Sequence, residues 1–346
     1  MDSPDSIHSK PPADASRRDL TFNSLFLDFD GVIYDYFDGI EHLKAKRVLF
    51  VGDPVERMRE DYLRILRYFR FYIRYGNLVD HDPGVLAAIE QCREGLYQIS
   101  GPRIWTELKK ILGYPQAINI LDMLFNQLRL GVYMGFNEGP KLIEKVRQID
   151  ENLKKFNKLV ESGVGGLSEA DKKLNYLSII CALIDNDADD PKEKELKDVE
   201  ELTCLRERLS ISNQEKFAGL AILHYRNMPD FTIDRARKEI VMTPKSEKER
   251  KLLYLLEAFK YRGDLDAYLE LKAKPMPVFP NIGDKISKRF AQNPSLCGVY
   301  IKELQYIWMQ NGYKMSEAEL LAKFEELYAD GSLNKVKRLK TSPEKM

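Results

Sequence analysis

The spacing of apolar residues after Val55 constrains the fold more than any other feature of this sequence. Apolar side chains recur there at intervals of three and four residues, which places them on one face of an α-helix. The segments with this pattern are 62–73, 85–89, 104–112, 117–128, 141–159, 196–225, 247–271 and 283–338. We therefore predict a mainly α-helical protein.

The first 53 residues follow a different pattern. Residues 1–16 are polar and rich in Asp, Ser and Pro, which predicts a disordered tail. Residues 25–36 alternate apolar and acidic positions, and 47–51 form a short β-branched run, so we predict strands in a small α/β element at 17–53. Asp53 and Pro54 then predict an N-cap and the first residue of a helix.

Composition narrows the classes of function. Basic and acidic residues number 54 each, so the formal net charge is +0 and any RNA binding must depend on local basic patches. The four cysteines and four histidines are scattered, so we predict no metal ligands. No apolar run reaches the roughly 18 residues of a membrane helix. The N-terminus lacks the features of a signal or transit peptide, which predicts a cytoplasmic or nuclear protein without membrane association.

Residues 56–74 are predicted to form one amphipathic helix whose basic residues are all arginine. Its predicted core face carries Ile65, Leu66, Phe69, Tyr72 and Ile73. Asp61 and Arg64 are three residues apart, so their side chains would be neighbours on that helix. Arginine is favoured where planar groups or phosphates are bound by fixed donors, which makes the helix a candidate binding surface. The alternative is a solvated helix with ion pairs on its outer face.

A carboxylate beside a guanidinium can read the edge of a nucleobase. Cytosine and adenine both present an exocyclic amine next to a ring-nitrogen acceptor, which complements an acceptor beside a donor. Uracil and guanine present the inverse pattern and would leave polar groups unpaired, at about 1–3 kcal/mol each. Asp61 and Arg64 could therefore accept C and A and reject U and G without a nucleic-acid template.

Four motifs carry a resemblance to a known family. Residues 60–64, Glu-Asp-Tyr-Leu-Arg, with Arg67 after them, resemble the nucleotide-recognition motif of class II tRNA nucleotidyltransferases, the CCA-adding enzymes. Residues 17–25 begin Arg-Arg-Asp and are similar to the motif that contacts the nucleotide's sugar and phosphates. Residues 35–54 resemble the connection between catalytic and recognition elements, and 99–108 resemble the motif that braces the recognition helix. The likeness is to the eukaryotic members.

The resemblance implies roles for eight residues. Those expected to bind the nucleotide are Arg18, Asp19, Asp61, Arg64 and Arg67. Asp61 and Arg64 would select the base, whereas Arg18 and Asp19 would hold the sugar and phosphates. Those expected to support the recognition helix are Glu60, Arg103 and Glu107. Because Arg103 and Glu107 are four residues apart, we also expect them to pair on the helix surface.

The same resemblance implies an architecture and an activity. A helical neck, body and tail would follow a small α/β remnant of a nucleotidyltransferase head. The expected divisions are 1–16 (tail), 17–53 (head remnant), 54–112 (neck with the recognition helix), 113–274 (body) and 275–346 (C-terminal tail). The implied activity is template-independent addition of CCA to tRNA 3′ ends from CTP and ATP, with the tRNA acceptor arm as partner. A longer family isoform could be mitochondrial.

The family's catalytic carboxylates are not found in this sequence. The resemblance implies an Asp-x-Asp pair upstream of the Arg-Arg-Asp motif, where it holds two Mg²⁺ ions. No such pair precedes Arg17, and Asp28 and Asp30, which have the spacing, follow the motif instead. We interpret the chain as truncated in the catalytic head, identify no catalytic residue or metal ligand, and expect that it does not add CCA alone.

Two other functions are consistent with parts of the sequence. Residues 25–33 resemble the nucleophile motif of haloacid-dehalogenase-type phosphatases, with Asp28 as nucleophile and Asp30 as acid and base. The flanking chain lacks the strand–helix alternation that this fold requires. The chain could instead be a non-catalytic tRNA-binding helical module, with basic clusters at 44–47, 285–289 and 335–340.

Overall fold

The structure is a computed structural model that describes residues 13–76, 81–114, 117–136, 148, 151, 154–155, 158, 176–184, 191–226, 228–273, 277–291 and 293–331. Helices predominate among these residues, and the two-stranded antiparallel sheet pairs Phe26 with Tyr34 and Leu27 with Ile33. The predictions of a mainly α-helical fold and of a small α/β element are confirmed. Most of 141–159 and all of 335–340 lie outside the described residues.

The chain divides into two compact units. Unit 1 comprises Met1–Asn227 with Lys260–Gly263, and unit 2 comprises Met228–Phe259 with Asp264–Met346. This division falls at 227, inside the predicted body at 113–274, and the predicted neck, body and tail stay predictions.

The described elements of unit 1 are α1 (Ala13–Ser16), β1 (Phe26–Leu27), β2 (Ile33–Tyr34), α2 (Gly39–Lys44), α3 (Pro54–Glu60), α4 (Arg64–Tyr75), α5 (Pro83–Cys92), α6 (Gly101–Leu112), α7 (Ala117–Asp122), α8 (Leu130–Met134), α9 (Tyr176–Leu183), α10 (Pro191–Leu209) and α11 (Asn213–Arg226). Those of unit 2 are α12 (Ile233–Met242), α13 (Lys248–Arg262, whose last three residues belong to unit 1), α14 (Leu265–Ala273), α15 (Gly283–Ser287), α16 (Pro294–Gln310) and α17 (Glu317–Asp330). Shorter 3₁₀ turns cover Thr21–Ser24, Arg93–Gln98, Lys245–Glu247 and Lys288–Phe290, and Met123–Gln127 forms a π-helical turn.

Helix α4 lies at the centre of the unit 1 core. Its apolar face is buried, as the three-and-four spacing predicted, and it packs with residues of α5, α6 and α7. Unit 2 has a core of its own, in which Tyr300 and Trp308 of α16 pack with Phe324 of α17. Helix α17 begins with a capping box, in which the side chains of Ser316 and Glu319 each bind the other residue's backbone N–H.

Two predictions about the N-terminal region need correction. The strand predicted at 47–51 is absent, because only Phe50 forms a β-bridge, to Leu20. The backbones of Lys46 and Gly52 both turn with positive φ, which limits the extended pairing to the residues between them. Ala13–Ser16, inside the stretch predicted to be disordered, forms a helical turn in which Asp14 pairs with Arg17 and Arg18.

The single helix predicted at 56–74 is wrong, because it is broken at Asp61. Helix α3 ends at Glu60, and the backbone of Asp61 is extended, with φ −158° and ψ 102°. The Asp61 side chain accepts a hydrogen bond from the Leu63 N–H, a local bond that competes with the helical one. The Tyr62 ring packs flat on Gly95, where an added Cβ would lie only 2.1 Å from it. Helix α4 then begins at Arg64.

The break depends on the absence of a side chain at Gly95. We expect Gly95→Ala to lower the free energy of unfolding by about 1–3 kcal/mol, because the new methyl group must displace the Tyr62 ring. Urea titration followed by circular dichroism measures this loss. Gly298→Ala is the matched control, since its Cβ would meet nothing within 4 Å. Equal stability of wild type and Gly95→Ala would contradict this account of the break.

Candidate nucleotide-recognition site

Three arginines follow one another along the outer surface of α4 and pair with three different parts of unit 1. Arg64, Arg67 and Arg70 are spaced by three residues, so each is a neighbour of the next. Arg64 bonds to Glu60 at the end of α3, Arg67 to Asp19, and Arg70 to Glu107 of α6. The apolar face of α4 is thus held by packing, and its polar face is held by ion pairs.

Asp19 is the buried carboxylate of the pair with Arg67. Its side chain is 8% exposed, and Oδ2 lies 2.6 Å from both Nε and Nη2 of Arg67. Oδ1 accepts hydrogen bonds from the Asn23 side chain at 3.0 Å and from the Leu20 N–H at 2.9 Å. Burial alone raises the pKa of Asp19, but the Asn23 bond and the charge and bonds of Arg67 outweigh it and lower the pKa below its ordinary value. Asp19 is therefore an ionised anchor between 17–25 and α4.

Arg18 lies at the surface beside α1. Its Nη2 donates to Oδ2 of Asp14 at 2.6 Å, and Arg17 pairs with the other oxygen of the same carboxylate. Asp14 is not among the residues selected from the sequence, although it lies three and four residues before the two arginines, a spacing that favours ion pairs on a helix. The structure thus connects Arg17 and Arg18 through Asp14, while Asp19 faces α4.

Arg64 is fixed by three acceptors and is 15% exposed at its side chain. Its Nη1 donates to Oε2 of Glu60 at 2.6 Å and to the Arg57 carbonyl at 2.9 Å. Its Nη2 donates to the Arg17 carbonyl at 3.1 Å. A guanidinium carries five N–H donors, so these bonds leave two of them for a ligand. Glu60 also pairs with Arg57, and its supporting role stays a prediction.

Asp61 pairs with Arg103, and not with Arg64 as a helical neighbour. Nη2 of Arg103 donates to Oδ2 of Asp61 at 2.7 Å, across 42 residues of sequence. The break after α3 turns the Asp61 side chain toward α6, which explains why the helical spacing rule gave the wrong partner. An ionised carboxylate has about four lone-pair positions. Arg103 and the Leu63 N–H occupy two of them, so Asp61 can still accept bonds from a ligand.

The predicted pair of Arg103 with Glu107 is also wrong. Glu107 is buried and pairs with Arg70 at 3.1 Å and Lys110 at 3.0 Å. Its Oε2 lies near Arg70 but lacks a well-aligned hydrogen bond, whereas Oε1 accepts from both cations. Arg103 thus pairs with Asp61, and Glu107 pairs with Arg70 of α4.

The phosphatase alternative is not favoured. Asp28 lies at the turn between β1 and β2, where Oδ1 accepts from the backbone N–H groups of Asp30 and Val32 and Oδ2 accepts from the Tyr34 hydroxyl. These local bonds close a hairpin and lower the pKa of Asp28. The two strands are antiparallel and only two residues long, so they do not provide the parallel sheet on which such a nucleophile is presented.

The described part of the chain shows neither a metal-binding cluster nor a membrane-spanning helix. Among those residues, no group of three or more His, Cys, Asp and Glu side chains is placed to hold a metal ion. None of their helices combines the length and apolar character that crossing a membrane requires.

The chain matches two family models. Residues 3–49 match one described as "Poly A polymerase head domain", and residues 79–127 match one described as "Probable RNA and SrmB- binding site of polymerase A". The first match includes Arg18 and Asp19, and the second includes Arg103 and Glu107. The eight residues selected above thus belong to, or lie between, the two matched segments.

A relative from Homo sapiens, CCA tRNA nucleotidyltransferase 1, mitochondrial, is 36% identical over 327 residues. The match covers 89% of this chain and 65% of the human protein, so the chain spans less than two thirds of that relative's length. Proteins of Mus musculus and Danio rerio with the same name are each 34% identical.

Two solved structures resemble this one. The crystal structure of the Bacillus stearothermophilus CCA-adding enzyme in complex with CTP has a TM-score of 0.61 and 20% identity, over 94% of this chain and 76% of that one. The Thermotoga maritima CCA-adding enzyme complexed with tRNA has a TM-score of 0.58 and 19% identity, over 92% and 73%. At these identities, the likeness concerns the fold.

The cytoplasmic or nuclear location predicted from the N-terminus is contradicted. The human, mouse and zebrafish relatives are all named as mitochondrial proteins. The prediction relied on the composition of 1–16. Since the chain spans only part of its relatives, these residues carry no information about targeting.

The buried pair of Asp19 and Arg67 yields a pH-dependent prediction. Arg67→Ala leaves a buried carboxylate without its cation, so we expect the free energy of unfolding to fall by about 1–3 kcal/mol. Because the pKa of folded Asp19 is lowered, its contribution is complete above the ordinary pKa of 3.8 and is lost as the pH falls below it. The difference in the free energy of unfolding between wild type and Asp19→Asn should therefore shrink as the pH falls below about 3.8.

Urea titrations between about pH 3 and 7 measure this difference. The double variant Asp19→Asn with Arg67→Ala is the control, and it should be more stable than Arg67→Ala alone because no buried charge remains. Additive effects of the two substitutions would argue against direct coupling.

Proposed function

This chain belongs to the family of the tRNA nucleotidyltransferases, and on that premise we propose that it serves the addition of CCA to the 3′ ends of tRNA. The proposed substrates are CTP and ATP, and the proposed partner is the tRNA acceptor arm. The observation that carries the proposal is the arrangement of Asp61 and Arg64 at the start of α4, both fixed by other residues and both with bonding capacity left over. The relatives' names lead us to place the protein in mitochondria.

Asp61 and Arg64 would select the base. The remaining acceptor positions of Asp61 suit the exocyclic amine of cytosine or adenine, and the remaining donors of Arg64 suit the adjacent ring nitrogen. Because Arg103 and Glu60 already hold the two side chains, less rotamer freedom is lost when the base binds. Uracil and guanine would place an acceptor against Asp61 and a donor against Arg64, so these polar groups would stay unpaired.

The other selected residues would act around this pair. Arg18 is exposed enough to contact the phosphates of a nucleotide, provided that it leaves Asp14. Asp19 and Arg67 bond to each other, so a contact of either with the sugar or base would use their remaining positions. Arg103, Glu60 and Glu107 would position the recognition segment without touching the nucleotide.

The magnesium ions that the family resemblance implies find no fitting cluster of residues in the part of the chain that the structure describes. The described residues lack a cluster of three metal-binding side chains, so binding of the nucleotide is assigned to this chain and the metal-dependent transfer step is not. The expectation that this polypeptide alone does not add CCA stays a prediction. A non-catalytic tRNA-binding module is not favoured, since the similar proteins are named as nucleotidyltransferases and CCA-adding enzymes.

Nucleotide binding by this chain can be measured without catalysis. We expect Arg64→Ala to weaken the binding of CTP and ATP by about 10–100-fold, because a charge-assisted donor is lost, and to leave tRNA binding nearly unchanged. Equilibrium dialysis with radiolabelled nucleotides and filter binding of tRNA measure the two affinities. Arg74→Ala removes the same charge from the other end of α4 and should alter neither. Parallel loss of both affinities in Arg64→Ala would contradict a role in base selection.

A second substitution tests how the base is chosen. Asp61→Asn replaces one acceptor with a group that can also donate, so the preference for CTP over UTP should fall by about 10–100-fold. Competition between labelled CTP and unlabelled UTP gives this ratio directly. Glu56→Gln removes an exposed carboxylate from the neighbouring α3 and serves as the control. An unchanged ratio in Asp61→Asn would remove Asp61 from base selection.

A further inference from the structure

Unit 2 contains a groove of about 780 Å³ that has no part in the proposed nucleotide site. Its walls are the end of α12, the turn that leads into α13, the extended residues 277–281, and one side of α16. Its apolar lining comes from Met242, Pro244, Pro277, Val278, Phe279, Pro280 and Ile301. The Val278 side chain is 84% exposed, so apolar surface lies open to a ligand.

Three lysines give the groove a positive charge. Lys245, Lys248 and Lys302 line it together with one carboxylate, Glu249. None of the three ammonium groups makes an ion pair within the described residues. Lys248 is half-buried, and this burial lowers the pKa of its ammonium group. A partly desolvated charge without a partner is unfavourable, and an anion placed beside it would offset the cost.

The lining favours a peptide over a nucleic acid. It contains no arginine, the residue most suited to phosphates and base edges. Its one aromatic side chain, Phe279, packs in a T-shaped arrangement with Trp308 at a centroid distance of 5.4 Å. A single ring is not the series of aromatic side chains on which successive bases of a single strand stack. Apolar walls with lysines among them complement a segment that carries both apolar and acidic side chains.

We propose that this groove binds an extended segment of a partner protein in which acidic residues alternate with apolar ones. The apolar side chains of the segment contact Met242, Val278 and Ile301, and its carboxylates pair with the three lysines. The proposal does not depend on the nucleotide site, which lies in unit 1.

Gly298 of α16 provides a way to block the groove without removing a charge. It lines the groove, and a Cβ added there would meet nothing within 4 Å. Gly298→Trp therefore fills the groove with an indole ring, whereas Gly298→Ala adds one methyl group and should favour the helix by about 1 kcal/mol. The two variants differ in the volume they occupy and not in charge.

The probe is the peptide fluorescein-Asp-Leu-Asp-Phe-Glu-Leu-amide, labelled at its N-terminus, whose anisotropy is measured with the full chain. We expect the full chain to bind it with a Kd below about 100 μM. Gly298→Trp should abolish binding, and Gly298→Ala should bind within about twofold of wild type. The charge-neutral variant Lys245→Gln with Lys248→Gln and Lys302→Gln should bind at least about tenfold more weakly. The same peptide with lysine at its acidic positions should not bind.

Three results would overturn the proposal. The first is no binding of the acidic peptide by the wild-type chain. The second is equal affinity in wild type and in the triple lysine variant, a set of surface substitutions that should not impair folding. The third is binding of a labelled single-stranded oligonucleotide that Gly298→Trp abolishes, which would make the groove a nucleic-acid site.

Discussion

The cross-bracing of α4 by arginine–carboxylate pairs is the interaction on which the candidate site depends. A helix that packs by one apolar face can still shift along its axis and rotate. Arg64, Arg67 and Arg70 restrict both movements, because each bonds to a carboxylate on a different part of unit 1. Arginine suits this position, since its planar fork can hold a carboxylate in a fixed geometry.

Arginine–carboxylate pairs also join segments of the site that are far apart in the sequence. Arg67 connects α4 to Asp19 across 48 residues, and Arg103 connects α6 to Asp61 across 42. The site is therefore assembled from the N-terminal region, α3, α4 and α6 together, and none of these segments could present it alone. Its partly exposed pairs add little stability individually. What they supply is a fixed position for the charged groups.

The sequence predicted the helical class and the buried face of α4, because apolar residues spaced by three and four lie on the one face of a helix that packs in the core. Motifs of fixed order also selected the site residues, and their roles stay predictions. The sequence failed on the partners of those residues. The pairs expected from spacing, Asp61 with Arg64 and Arg103 with Glu107, assume an unbroken helix and neighbours on one surface. Tyr62 instead packs on Gly95, and this contact between distant residues cannot be seen in local periodicity.

The break at Asp61 changes the chemistry that the site can perform. On a continuous helix, Asp61 and Arg64 would be neighbours and could bond to each other. In the structure, Asp61 turns to Arg103 while Arg64 turns to Glu60, so the acceptor and the donor are held separately and each keeps unused bonding positions. A single extended residue between two helices thus converts an internal ion pair into two oriented groups. The proposed reading of a base edge, which presents a donor and an acceptor together, requires that both groups keep unused bonding positions.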